Sequence, residues 1–334
     1  MSRDAGFDGG AANERALRFH PEYSPIEFWP TAGGLEPSIP PTGQAKSRPM
    51  LSFGQAIILG ILQGISELFP ISSLGHSIIL PGLLGWTINR QANAFLTFLV
   101  ATHFATAIVL FFFYWNDWVR IITGTLRSIP RRSVAGDPDA SLGWLLVIGT
   151  IPAGMIGVLF QKRLQELFIS PSYVASFLAL NGVLLYVAEL LRTSAKSPDS
   201  IRDSDQRIAA EVSWWQSARV GIMQVLALLP GFSRTGSTIA GGLMVGLTHE
   251  DALRFSFLLA TPIIGAAAAL KLPALLASKD KTAIETALIG AACAAVAAYF
   301  SVRFLTRYFK TRTLTPFAIY CLLAGLASLM FMHR

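Results

Sequence analysis

The chain has 334 residues, of which 52% are hydrophobic and 14% charged, whereas a soluble domain has about 25% charged residues. This shortage of charge excludes an ordinary soluble enzyme, and with a mean hydropathy of +0.51 it predicts an all-α polytopic membrane protein. The net charge of +7 suits cytoplasmic loops and anionic lipid headgroups, and no nucleic acid partner is expected. Cys293 and Cys321 lie in apolar runs, so no disulfide framework is expected.

The first 50 residues differ from the rest. Residues 1–50 contain clustered glycine and proline but no apolar run long enough for a signal peptide. They are interpreted as a disordered extension. Met50 directly precedes the first apolar segment, so an over-long gene model with translation starting at Met50 is the alternative. Function is expected in residues 51–334, which form a single membrane domain.

Apolar periodicity from Leu51 onward predicts ten helical pieces. They are 53–68, 72–84, 94–115, 142–160, 173–191, 213–229, 233–247, 252–271, 284–305 and 314–332. Six of these pieces are long enough to span a bilayer. The other four form two pairs, interrupted by a first helix break at Pro70 and a second at Pro230-Gly231, which is typical of re-entrant helices.

The two halves of the membrane domain correspond in sequence. A shift of 161 residues superposes identical residues along the first helix pair and the second. The first pair contributes Gly60, Ile61, Gln63, Leu68, Ser72, Gly75, Ile78 and Gly85. A shift of 159 residues then superposes Phe98 on Phe257. We therefore predict an inverted-topology repeat, about 51–191 and 213–332, with one re-entrant hairpin and three spanning helices in each unit.

Basic residues in the predicted loops indicate the topology. The side of the membrane with the larger share carries Arg120, Arg127, Arg131, Arg132, Arg192, Lys196, Arg202, Arg207, Arg307, Lys310 and Arg312. This side is predicted to be cytoplasmic. The five basic residues of the N-terminal extension would then lie outside, an objection that disappears if translation starts at Met50.

The first break carries two ionisable residues, Glu67 and His76. Because such residues cost about 2.5–3.5 kcal/mol in an apolar segment, both are functional candidates. Gln63 lies one turn before Glu67 on the same helix face, and the hydroxyls of Ser72 and Ser73 follow the break. The alternatives are a structural carboxylate at Glu67 and a packed histidine, satisfied by a backbone carbonyl, at His76.

The helix that follows the second break begins with glycines and hydroxyl residues around Arg234. Backbone N–H groups at a helix start favour an anion, and a guanidinium matches phosphate oxygens. The alternative is a plain helix cap with a snorkelling arginine. The candidate substrate-binding residues of both breaks are Gln63, Ser72, Gly75, Gly231, Ser233, Thr235, Gly236, Ser237 and Thr238.

Together the breaks supply a carboxylate, a histidine, hydroxyls and an arginine, the groups that phosphoryl transfer requires. A carboxylate beside phosphate also attracts Mg²⁺ or Ca²⁺, with Glu67 as the candidate metal ligand. CxxC, HExxH and Walker motifs are absent from the sequence.

Two long motifs resemble those of the bacterial undecaprenyl pyrophosphate phosphatase family, the bacitracin-resistance type. They are Gln63…Glu67 with Pro70-Ile-Ser-Ser-Leu-Gly-His76, and Pro230-Gly-Phe-Ser-Arg-Thr-Gly-Ser-Thr238. The resemblance runs from about Leu51 to the C-terminus. It implies hydrolysis of undecaprenyl diphosphate to undecaprenyl phosphate, which recycles the lipid carrier for cell-wall synthesis. It also implies dependence on a divalent metal, and a multi-pass protein of the bacterial cytoplasmic (inner) membrane with an active site facing the extracytoplasmic side.

The family motif assigns catalytic roles to four positions of this chain. They are Glu67, Ser73, His76 and Arg234. Gln63 stands where the family has Glu or Gln, and Leu74 replaces the more usual Thr, which puts a secondary hydroxyl in doubt. Other lipid phosphatases need a histidine six residues after the arginine, where this chain has Ala240.

The nucleophile stays open between Ser73, His76 and metal-bound water with His76 as its base. A transporter or flippase of polyprenyl phosphate is the second hypothesis, because broken helices in inverted repeats are typical of transporters. Hydrolysis is favoured, since an anion carrier needs Arg234 but no acid–base pair. The expected partners are a polyprenyl diphosphate lipid and the bilayer. The oligomeric state stays open, with a homo-oligomer among the alternatives.

Overall fold

Twelve α-helices make up the part of the chain that the computed structural model describes, which is residues 51–86, 88, 93–160, 170–192, 203–276 and 280–332. They are α1 (Phe53–Ser66), α2 (Ser73–Leu83), α3 (Asn93–Phe113), α4 (Trp115–Arg131), α5 (Pro138–Leu159), α6 (Pro171–Leu190), α7 (Ser204–Glu211), α8 (Trp214–Val225), α9 (Arg234–Met244), α10 (His249–Leu276), α11 (Lys281–Tyr308) and α12 (Thr315–Met332). The predicted all-helical architecture is confirmed. The expected extension 1–50 lies outside the described residues.

Five of the described helices are long and apolar enough to cross a membrane. They are Ala94–Phe113, Pro138–Leu159, Pro171–Leu190, Lys281–Tyr308 and Thr315–Met332. The sequence predicts a sixth span at 252–271. That segment lies within α10, a helix of 28 residues, and its side chains beyond residue 267 lie outside the described part. The chain is therefore a multi-pass membrane protein.

Each broken helix pair begins and restarts at matching positions. Helices α1 and α8 both open with a capping box, formed by Ser52 with Gln55 and by Ser213 with Gln216. Helix α2 opens with the serine cap Ser72, and α9 opens with the serine cap Ser233. The starts of α1 and α8, and those of α2 and α9, differ by the same 161 residues as the sequence shift. The local capping signals therefore recur in both pairs.

Small residues let the first helix of each pair approach a neighbour closely. A Cβ atom added to Gly64 of α1 would collide with the carbonyl oxygen of Ala294 on α11. A Cβ atom on Gly221 of α8 would collide with the carbonyl oxygen of Gly149 on α5. Such contacts are the usual way in which membrane helices pack. They fix the direction in which each helix approaches its break.

Charged side chains hold α4 and α7, two helices absent from the sequence prediction, against the start of α10. Arg254 donates to Asp205 at 2.5 and 2.7 Å and lies 3.0 Å from Asp117. Arg207 donates to Asp251 at 2.7 Å. Asp205 and Asp251 are buried, and a buried carboxylate is stable only with such partners. This charged cluster lies at the ends of helices whose loops are predicted to be cytoplasmic.

Candidate active site

The two helix breaks, residues 67–72 between α1 and α2 and residues 226–233 between α8 and α9, meet in space. Arg234 Nη2 donates to Glu67 Oε1 at 2.8 Å, across 167 residues of chain. The hydroxyl of Thr235 donates to the backbone carbonyl of Glu67 at 3.0 Å, and that of Ser233 to the carbonyl of Phe69 at 3.2 Å. The two sequence motifs therefore form one site.

Glu67 is the centre of this site. It follows the last residue of α1, where Pro70 lacks the N–H that a continuing helix needs. Its other oxygen, Oε2, accepts from Ser73 Oγ at 2.5 Å and from Gln63 Nε2 at 3.2 Å. With Arg234 on Oε1, the carboxylate has a donor on each oxygen although its side chain is only 8% exposed. A carboxylate in an apolar bundle requires such partners.

His103 of α3 also faces Glu67 and was missing from the sequence prediction. Its Nε2 lies 3.4 Å from Glu67 Oε2. Its Nδ1 lies 2.8 Å from the carbonyl oxygen of Leu99, which can only accept, so Nδ1 carries a proton. The cost of an ionisable residue in an apolar segment, which singled out Glu67 and His76, applies equally to this histidine.

His76 lies one turn into α2. Its Nδ1 is 2.6 Å from the carbonyl oxygen of Ser72, and its Nε2 is 2.7 Å from the hydroxyl of Tyr320 on α12. Ser72 has a positive φ of 65°, a conformation that costs a non-glycine residue of order 1–3 kcal/mol. The backbone is held in this conformation where it orients the histidine.

Several predicted substrate-binding residues have structural partners. Ser72 and Ser233 accept from the amides of Gly75 and Gly236 as helix caps, and Thr238 Oγ1 lies 2.5 Å from Ser256 Oγ. Gly231, in turn, has a φ of 115°, and a Cβ there would collide with the carbonyl oxygen of Val174. These residues shape the two breaks. Their contact with substrate stays a prediction.

Three polar atoms of the predicted site are buried without a hydrogen-bond partner in the described part of the chain: Arg234 Nη1, Ser237 Oγ and Gln63 Oε1. An unsatisfied buried polar atom costs about 1–3 kcal/mol. Two of these groups can donate to phosphate oxygens, and the amide oxygen of Gln63 can accept a hydrogen bond or bind a cation. These three atoms are therefore available to a polar ligand.

Asn181 of α6, a second residue that the sequence analysis missed, ties the breaks together. Its side chain is fully buried. The Nδ2 atom donates to the carbonyl oxygen of Pro70 at 3.0 Å, and Oδ1 accepts from the amide of Ser233 at 3.1 Å. One amide side chain thus satisfies backbone groups that both breaks leave unpaired.

Comparison with known proteins identifies relatives over most of the chain. The family model of bacitracin resistance protein BacA matches residues 56–327. The chain is 44% identical over 299 residues to a protein of Mycolicibacterium paratuberculosis named undecaprenyl-diphosphatase. The alignment covers 84% of this chain and 98% of that protein. It is also 44% identical over 283 residues to undecaprenyl-diphosphatase 2 of Chromobacterium violaceum. That alignment covers 83% of this chain and 98% of that protein.

Proposed function

We propose that the phosphate anhydride of the substrate is cleaved where the two helix breaks meet. The chain belongs to the bacitracin resistance protein BacA family. The protein is a membrane phosphatase that hydrolyses undecaprenyl diphosphate to undecaprenyl phosphate and inorganic phosphate. This reaction recycles the lipid carrier used in cell-wall synthesis. The observation that carries the assignment of the site is the contact between Glu67 and Arg234 across the two breaks.

The diphosphate is held by the second break. Arg234 uses Nη2 to hold Glu67, and its buried Nη1 is left for a phosphate oxygen. The unpartnered hydroxyl of Ser237 lies one turn further along α9 and can donate to the same anion. Such charge-assisted hydrogen bonds strengthen as negative charge builds up on the transferred phosphoryl group.

Ser73 is the nucleophile in this mechanism. Its hydroxyl donates to Glu67 Oε2 at 2.5 Å, so the carboxylate can accept the proton as Ser73 Oγ attacks the terminal phosphorus. The bond between phosphorus and the bridging oxygen then breaks, and undecaprenyl phosphate leaves with the electron pair. Water next hydrolyses the phosphoserine, with His76 as its base, and releases inorganic phosphate. Transport alone would not require a hydroxyl paired with a carboxylate.

A divalent cation, Mg²⁺ or Ca²⁺, fits the same residues. Glu67 and the unpartnered Oε1 of Gln63 supply hard oxygen donors on one helix face. Within the described ranges there is no group of three His, Cys, Asp or Glu side chains that could hold a metal, so the substrate phosphates would have to complete the ligand set. The cation would supply charge neutralisation of the phosphate oxygens.

The two halves form an inverted repeat, in which the α1–α2 pair enters from one membrane face and the α8–α9 pair from the other. Support comes from the shared 161-residue offset of the two pairs and from the matching close approaches of Gly64 to α11 and Gly221 to α5. Loop charge assigns the charged cluster around Arg254 to the cytoplasmic side. The site then opens to the extracytoplasmic face of the bacterial cytoplasmic membrane.

Purified protein in detergent, supplied with undecaprenyl diphosphate, tests the proposal. We expect one inorganic phosphate released per lipid, and loss of release when EDTA removes divalent cations. Hydrolysis that EDTA does not lower would contradict the metal assignment. Failure of the folded protein to release phosphate at any cation concentration would contradict the activity itself.

A further inference from the structure

Tyr320 lies outside both motifs but contacts His76 of the proposed site. Its hydroxyl is 2.7 Å from His76 Nε2. Its ring plane is nearly parallel to that of the imidazole, with 5.7 Å between ring centroids and 9° between the planes. The two residues are 244 positions apart in the chain, and no local pattern in the sequence connects them. The hydroxyl of one tyrosine thus contacts His76, with the two ring planes nearly parallel.

The hydrogen bonds of His76 define which nitrogen carries its proton. The carbonyl oxygen of Ser72, 2.6 Å from Nδ1, can only accept, so Nδ1 is the protonated nitrogen. In the neutral imidazole Nε2 therefore has the free lone pair, and the Tyr320 hydroxyl donates to it. Because no carboxylate contacts His76 among its described partners, no negatively charged side chain there favours the doubly protonated ring. The histidine is held as a neutral base with its lone pair on Nε2.

The backbone around Tyr320 is fixed by close packing of α12 on α6. A Cβ atom on Gly182 would lie 2.6 Å from the amide nitrogen of Leu322 and 2.7 Å from the carbonyl oxygen of Ala318, residues on either side of Tyr320. The next residue, Cys321, is fully buried, whereas Tyr320 is 44% exposed at the edge of the bundle. The hydroxyl can therefore leave Nε2 by rotation of the side chain, without movement of the helix.

We propose that Tyr320 is a positioning residue for His76. This inference rests on the proposed phosphatase function. The hydroxyl holds the imidazole in the tautomer and orientation needed for proton abstraction, and it gives up Nε2 to the water that hydrolyses the phosphoserine. The hydrogen bond from Nδ1 to the carbonyl oxygen of Ser72 keeps the imidazole in place during the exchange. Neither the substrate phosphates nor a cation at Glu67 would need to contact Tyr320 for this role.

The test compares Tyr320→Phe with wild type and with Tyr299→Phe. The phenylalanine at 320 keeps the aromatic ring and removes only the hydroxyl, while Tyr299 on α11 is equally exposed, at 45%. Loss of one neutral hydrogen bond is worth about a 2- to 10-fold change. We expect kcat to fall by that factor in Tyr320→Phe, with KM and Tm unchanged, and no change in Tyr299→Phe.

A spectroscopic measurement separates positioning from a structural effect. In protein labelled with ¹⁵N-histidine, the Nε2 resonance of His76 is identified by its absence from His76→Ala. Tyr320→Phe should shift that resonance, and Tyr299→Phe should leave it in place. Wild-type kcat in Tyr320→Phe, or a fall in kcat without a shift of the resonance, would overturn the role of Tyr320. If wild-type protein released no phosphate, the proposed function itself would fail.

Discussion

Replacing Arg234 with lysine should be far from conservative. One nitrogen of the guanidinium holds Glu67 at 2.8 Å while the other is buried and free for phosphate. A lysine has a single nitrogen and can serve one of these partners at a time. The loss is therefore one hydrogen bond to a charged group, about 1.5–3 kcal/mol, which corresponds to a roughly 10- to 150-fold fall in kcat/KM.

Steady-state phosphate release and binding of a non-hydrolysable diphosphate analogue measure this effect. Arg234→Lys should lose both turnover and analogue affinity, whereas His76→Ala should lose turnover and keep much of the affinity. Arg219→Lys is the matched control, because that exposed arginine on α8 lies over Trp215 and away from the site. The anion clamp would be refuted if Arg234→Lys stayed within about threefold of wild type, or if His76→Ala lost binding as fully as Arg234→Ala.

Three further changes test other parts of the account. Glu67→Gln should nearly abolish hydrolysis in a folded protein. A variant that kept more than about a tenth of wild-type turnover, which is a rise in the barrier of less than ~1.4 kcal/mol, would exclude a catalytic role for Glu67. Deletion of residues 1–49 should leave insertion and activity intact, and an inactive or uninserted product would show that the extension matters. Asn181→Leu should lower the unfolding free energy by about 1–3 kcal/mol, because Pro70 and Ser233 lose a buried partner; unchanged stability in denaturant would contradict this.

The sequence predicts the helix pairs and their breaks well, because the signals for them are local. Pro70 stops a helix, and the Ser72 and Ser233 caps restart one. The contact between the breaks follows from the complementary chemistry of Glu67 and Arg234, which neither hairpin satisfies alone.

Other features depend on contacts that no local pattern contains. Helix α4 was missed because its charged residues, such as Asp117 and Arg120, make it resemble a loop, although Trp118 and Ile121 pack inward. His103, Asn181 and Tyr320 stand singly in apolar segments. The insertion cost that singled out Glu67 also applies to His103, whereas the importance of Asn181 and Tyr320 appears only when α6 and α12 bring them to the breaks.

The most direct test of the central claim is single-turnover phosphate release from undecaprenyl diphosphate by wild type and by Ser73→Ala. Ser52→Ala, which alters the serine cap of α1, is the matched control. We predict stoichiometric release by wild type and Ser52→Ala, and none above background from a Ser73→Ala protein with an unchanged Tm. Release by Ser73→Ala at the wild-type rate would contradict attack by the hydroxyl that Glu67 holds.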